Sequence, residues 1–262
     1  MDLGLKNKVI IVTGSASGIV EGIVRVLSEE GAVIAMVGRS REDNQKLQNK
    51  IVKSGGDLFS LETELGEPAA CEKAVEAIIQ KYGRIEGLVN NAGPDNPVLP
   101  ESGNDERFME SLRDKLVHYY LMAQCALPYL KISKGAIVNV NPKTAETDQD
   151  NNSVCAAADG GRNALTREWA VELLKYSIRV NAVVVSAYCT PEYESWIRDL
   201  KNPNENIKEI IVKISLETRM TKPLEIAHVV AFLLSDKSSH TTGQLIHVDG
   251  GNAHLVKAPA NT

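Results

Sequence analysis

The chain of 262 residues is 43% apolar and 24% charged, ordinary values for a soluble globular protein, which excludes a mainly disordered chain. Lys and Arg number 29 against 34 acidic residues, a formal charge of −5, and no basic run occurs, so a nucleic-acid or anionic-membrane surface is not expected. No stretch reaches the roughly 18 consecutive apolar residues of a membrane span, and the charges near Met1 are in the wrong order for a secretory leader, so a cytoplasmic protein is expected.

Strand-like and helix-like segments then alternate to the end of the chain. Residues 8–13 form a β-branched apolar run, the pattern of a strand buried on both faces. Residues 18–29 carry apolar side chains at helical spacing and end at Gly31, a helix-closing glycine. A buried strand at 32–37 and a polar helix at 41–54 follow. A strand at 57–65 precedes a helix at 67–82 with Pro68 in its first turn. Strand 85–90 leads to a long helix at 105–130, strand 135–140 to a second long helix at 153–176, and strand 178–185 to a polar stretch at 192–216 of one or two short helices. A helix at 223–234 and a last strand at 244–248 complete the series. Six or seven such units imply an α/β fold, a doubly wound parallel sheet of about seven strands with helices on both faces. No linker or repeat divides it, so residues 1–262 are read as one domain.

The turn Thr13-Gly14-Ser15-Ala16-Ser17-Gly18-Ile19-Val20 joins the first strand to the first helix. Free backbone N–H groups and the positive helix end meet there, which suits a pyrophosphate. A tight turn with no ligand is the simpler alternative. Asn90-Asn91-Ala92-Gly93, Arg179-Val180-Asn181-Ala182, Thr242-Gly243-Gln244 and Val248-Asp249-Gly250-Gly251 stand in order along the rest of the chain. With the glycine turn, these motifs make the chain resemble the short-chain dehydrogenase/reductase family over nearly its whole length. The resemblance implies a Rossmann-type fold, and finer stretches such as Val37 to Ser40 and His118 to Tyr120 resemble the sugar-oxidising branch that includes L-fucose dehydrogenase.

The resemblance implies an NAD(P)-dependent oxidoreductase acting on a sugar or other small alcohol or carbonyl. It places the cofactor at Gly14, Ser15, Ser17, Gly18, Ile19, Arg39, Ser40, Glu64, Leu65, Asn91, Ala92, Gly93 and Thr190. Arg39 tips the expectation from NAD toward NADP, although it also reads as a solvated loop arginine. Val20 departs from the family pattern of a third glycine and sets a branched side chain where close backbone approach is needed. The resemblance also implies a homo-oligomer, dimer or tetramer, built on the two long helices and the last helix and strand.

Chemistry in this family rests on a Tyr-x-x-x-Lys pair, a serine thirteen residues before the tyrosine, and an asparagine on the preceding long helix. The aligned positions hold Cys155, Asp159, Pro142 and Lys115. Proline has no side-chain donor, cysteine is shorter than tyrosine, and aspartate sets an anion where a cation held the nicotinamide ribose. Catalytic residues are therefore expected to be absent. Cys155 reads as a buried thiol or a substitute acid. Lys115 and Asp159 are expected to form an ion pair across the former relay, against the alternative of two separate solvated charges. The four cysteines (Cys71, Cys125, Cys155, Cys189) lack zinc spacing and read as free thiols. No metal is expected, the five histidines read as surface or packing residues, and the acidic run from Glu146 reads as a solvated loop. Three functions remain open: a non-catalytic ligand-binding, regulatory or partner subunit, an oxidoreductase with altered chemistry, and a scaffold with no small-molecule site.

Overall fold

The structure is a computed structural model and describes residues 2–93, 98–147, 153–186, 216 and 219–254. The family resemblance also implies a substrate loop at about 188–222, and most of it, with Cys189 and Thr190, lies outside the described residues.

Seven strands form one parallel sheet: β1 (Val9–Thr13), β2 (Val33–Gly38), β3 (Asp57–Glu62), β4 (Gly87–Asn90), β5 (Ala136–Pro142), β6 (Arg179–Val185) and β7 (Leu245–Val248). Their order is β3-β2-β1-β4-β5-β6-β7, and each neighbouring pair is parallel. The expected doubly wound sheet is therefore present. β1 is buried along its whole length, because helices cover both faces and a β-branched run has an apolar partner on either side. α1 (Gly18–Glu29) and α7 (Pro223–Leu234) cover one face, against Ile10, Val12, Ile34 and Val183. α3 (Pro68–Tyr82), α5 (His118–Ser133) and α6 (Ser153–Glu172) cover the other, against Val9, Ile11, Leu88 and Val180. α2 (Arg41–Lys53) flanks β2 and β3.

Chain order reverses direction between β1 and β4, and the crevice outside the strands' carboxyl ends opens at that point. Ligand-facing groups from the β1–α1 turn and from the β4 and β5 ends therefore converge there.

The helix expected over 105–130 is not continuous. α4 (Asp105–Leu112) passes through a π-helical turn, Arg113–Val117, into α5. Such a turn holds an extra residue and commonly marks a functional site. Lys115 sits in it and is buried. Alternating polarity does not disclose a π-turn, because the apolar face drifts by only one residue across it. The second long helix ends at Glu172, and a separate 3-10 turn at Leu174–Tyr176 follows. Among the described residues, no helix is long and apolar enough to cross a membrane.

Candidate functional site

The glycine turn is built by backbone geometry that only glycine takes easily. Gly14 has φ 125° and Gly18 φ 55°, the left-handed side that strains L-residues. A Cβ on Gly14 would lie 2.9 Å from Asn91 Nδ2 and 3.1 Å from a Val20 methyl. The Gly14 N–H donates to the Val37 carbonyl at 2.9 Å, tying the turn to β2. Thr13 ties it to β4: its hydroxyl accepts from the backbone N–H of Asn91 at 3.1 Å and of Ala92 at 3.3 Å. Ser15 is exposed and Ser17 partly so, with their hydroxyls 3.2 Å apart. Ser17 caps α1 without a side-chain bond, so its hydroxyl is not spent on the helix. Ile19 and Val20 are buried. Val20 is part of the buried α1–α7 core and sets a methyl against Gly14 of the turn.

At the end of β2, Arg39 and Glu64 are both exposed and their charged atoms lie 4.0 Å apart. Ser40 is occupied otherwise: it caps α2, accepting from the Asp43 N–H at 3.3 Å and donating to the Asp43 carboxylate at 2.7 Å. Leu65 is a core residue, buried against the α3 face.

On the other side of the crevice the polar groups bind one another. Asp159 is 0% and Arg162 3% exposed. Arg162 Nη1 lies 3.0 Å from Asp159 Oδ1, and the Thr144 hydroxyl donates to Asp159 Oδ2. Arg162 Nε donates to the Lys115 carbonyl at 2.8 Å, while Nη2 donates to that same carbonyl and to the Ala92 carbonyl at 3.3 Å. The guanidinium lies 4.2 Å over the Tyr119 ring, a cation–π contact. Asp159 was expected to pair with Lys115. An ion pair at its carboxylate is made by Arg162, three residues on along the same helix face. Arg162 then reaches the backbone of Lys115, so the two positions are linked through a cation that sequence reasoning missed. Its spacing from Asp159 was a signal, and its burial was not.

Cys155 is 1% exposed and lies in a small apolar cluster with Val98, Phe108, Leu112 and Val154. Pro142 ends β5 in an extended conformation. Two other titratable groups face Arg162. Tyr119 donates to the Val140 carbonyl at 2.8 Å, and burial pushes its phenol up to about 12, so it is held as a neutral donor. His118 is pushed down to about 3, first by burial and then by the Arg162 charge, so it is neutral at physiological pH. Its Nε2 is buried with no hydrogen-bond partner.

A second polar chain went unforeseen. Asn141 Nδ2 donates to Asn163 Oδ1 at 2.8 Å, Asn163 Nδ2 donates to Glu146 Oε1 at 3.0 Å, and Glu146 Oε2 lies 2.7 Å from His247 Nε2. Glu146 was expected in a solvated loop and His247 at the surface or in packing. They are a partly exposed pair joined across β5 and β7, which are far apart in sequence. Among the described residues, no group of three metal-ligating side chains converges, and Cys71 and Cys125 are free thiols.

Residues 14–253 match the family model described as enoyl-(acyl carrier protein) reductase. The 3-oxoacyl-acyl-carrier-protein reductase FabG of Thermotoga maritima is 33% identical over 248 residues, covering 94% of this chain and 98% of that protein. The L-fucose dehydrogenase of Bos taurus is 29% identical over 246 residues, covering 94% of this chain and 89% of that protein. The crystal structure of Cj0485 dehydrogenase is 38% identical and superposes with a TM-score of 0.91, covering 98% of each chain.

Proposed function

The chain belongs to the short-chain dehydrogenase/reductase family, whose members are NAD(P)-dependent oxidoreductases, and from that membership we propose that it is a nucleotide-binding member with impaired hydride-transfer chemistry. The observation that carries this reading is the state of the side chains at the family's four working positions. Pro142 has no donor. The Cys155 thiol lies among apolar side chains. Asp159 is committed to Arg162 and Thr144, and Lys115 is buried in the π-turn. None of these presents an exposed acid to a substrate oxygen.

The cofactor fits one side of the crevice better than the other. The β1–α1 turn keeps its left-handed glycines, its uncapped Ser17 hydroxyl and the exposed Arg39, and these suit an adenosine phosphate, with Arg39 favouring a 2′-phosphate. On the β4–β5 side, an anion stands where a ribose-holding cation is needed. No proton-transfer step is assigned to this chain.

The experiment is turnover of NADP(H) and NAD(H) with a panel of sugar lactols, ketones and small alcohols. Loss of acid–base help costs roughly 10²–10⁴ in rate. Against an ordinary turnover of about 10 s⁻¹, the expected kcat is about 0.1 s⁻¹ or less. A rate near the ordinary value, abolished by Cys155→Ala, would establish the second reading, an oxidoreductase with altered chemistry.

We propose further that the protein is a single-domain cytoplasmic homo-oligomer. The supporting observation is a set of exposed apolar side chains, Val117 at the end of the π-turn, Tyr120 at the start of α5 and Val171 near the end of α6, with α5 and α6 packed on the sheet by their inner faces.

A further inference from the structure

We infer that the crevice takes an adenosine diphosphate moiety and leaves the nicotinamide of a dinucleotide without a seat. The inference rests on the reading of the glycine turn as a phosphate site.

The two sides of the crevice differ in what their polar groups are free to do. At the β1–β2 side, Ser15, Arg39 and Glu64 are exposed, and among the described residues the Ser17 hydroxyl bonds its neighbour Ser15. The serine hydroxyls and Arg39, with the N-terminus of the twelve-residue α1, present donors to a ligand. At the β4–β5 side, the groups are already spent. The guanidinium of Arg162 makes four hydrogen bonds, to the Asp159 carboxylate, to the Lys115 carbonyl twice and to the Ala92 carbonyl. Thr144 satisfies the other Asp159 oxygen. The pair is buried in both members, so a ligand that displaced it would leave a charge unpaired away from water.

Position makes the pair an obstruction as well as a closed network. Gly93 ends the Asn91–Gly93 segment above β4 with φ 144°, and a Cβ built on it would lie 2.6 Å from Arg162 Nη2. The guanidinium is therefore pressed against the Gly93 backbone, in the part of the crevice across the strand-order reversal from the glycine turn. A dinucleotide lies across that reversal. Its phosphate-bearing adenosine would meet exposed donors, and its far end would meet a filled, charge-paired wall. The wall is made by one residue, Arg162, and its anchor, Asp159.

The test compares ligands that differ only in the nicotinamide: ADP-ribose with NADH, and 2′-phospho-ADP-ribose with NADPH, titrated calorimetrically against the full chain. Saturation-transfer NMR on the bound dinucleotides is read in parallel. The expected result is dissociation constants within about threefold in each pair, with transfer to adenine H2 and H8 and none to the nicotinamide protons. Dinucleotides binding tighter by about tenfold or more, with transfer to nicotinamide protons, would overturn the inference while leaving the phosphate site intact. No binding of any of the four at millimolar concentration, in protein that shows a cooperative unfolding transition, would overturn the phosphate-site reading itself. The double variant Asp159→Asn/Arg162→Ala removes both charges together, so neither is left unpaired. It is expected to gain nicotinamide transfer and to bind NADH more tightly than ADP-ribose. A folded double variant with unchanged spectra would overturn the role given to Arg162. If that variant does not fold, the comparison in the unaltered protein decides.

Discussion

A guanidinium that sequence reasoning did not name pairs with the Asp159 carboxylate. Arg162 and Asp159 are three residues apart in α6, and that spacing sets side chains on one helix face. What the spacing does not say is which face is buried. The same guanidinium lies over Tyr119 and beside His118, and it is one reason that His118 is neutral. A histidine held down to about 3 in the folded chain and near 6.5 when unfolded binds fewer protons folded than unfolded between those values. Its contribution to stability is therefore whole above about pH 6.5 and falls by about 1.4 kcal/mol per unit as the pH drops toward 3. His118→Gln, which does not titrate, is expected to flatten the stability profile over that window in urea unfolding. Parallel profiles for the two proteins would show that the folded chain accommodates a protonated His118.

At the scale of elements, the pattern of apolar residues located the strands and most helices, while contacts between elements escaped it. α1 and α7 meet so closely that a Cβ on Gly22 would lie 2.9 Å from the Pro223 carbonyl oxygen and 3.0 Å from its carbon. These are backbone atoms, which cannot swing aside as the end of a side chain can. Gly22→Ala should therefore cost about 1–3 kcal/mol through overpacking, despite the better helix propensity of alanine. Chemical denaturation at neutral pH measures it, and a stabilised variant would mean that the two helices slide apart cheaply. The π-turn at Arg113–Val117 is the other feature invisible in the pattern. It puts Lys115 into the interior and offers its carbonyl to Arg162, so a local irregularity of one helix sets the geometry at another. The Glu146–His247 contact likewise depends on β5 and β7 standing two strands apart in one sheet.

For the whole molecule, the sheet buries apolar surface on both faces, and the helices that cover it still present apolar side chains outward. Val117, Tyr120 and Val171 lie exposed on or beside α5 and α6. Single exposed apolar residues are ordinary, but a group on two helices packed on the same sheet face suits a self-complementary contact. The expected state by light scattering is a dimer or tetramer, and Tyr120→Glu with Val171→Glu should shift it to monomer, since burying a lone carboxylate is costly. A monomeric unaltered protein at micromolar concentration would remove the oligomer from the proposed function.

Residue order alone determined the α/β class, the parallel sheet of about seven strands, the glycine turn and the family, because buried strands, helix spacing and turn glycines are local signals. It also led to the expectation that Lys115, Pro142, Cys155 and Asp159 stand at the family's working positions. The partners those residues take up were decided only by tertiary structure. Asp159 binds Arg162 and Thr144, Cys155 sinks into an apolar cluster, and Val20 joins the buried core with a methyl against Gly14 of the turn. Burial and pairing are set by which elements pack together across the sheet, and a charge brought out of water takes whichever opposite charge the packing brings within reach.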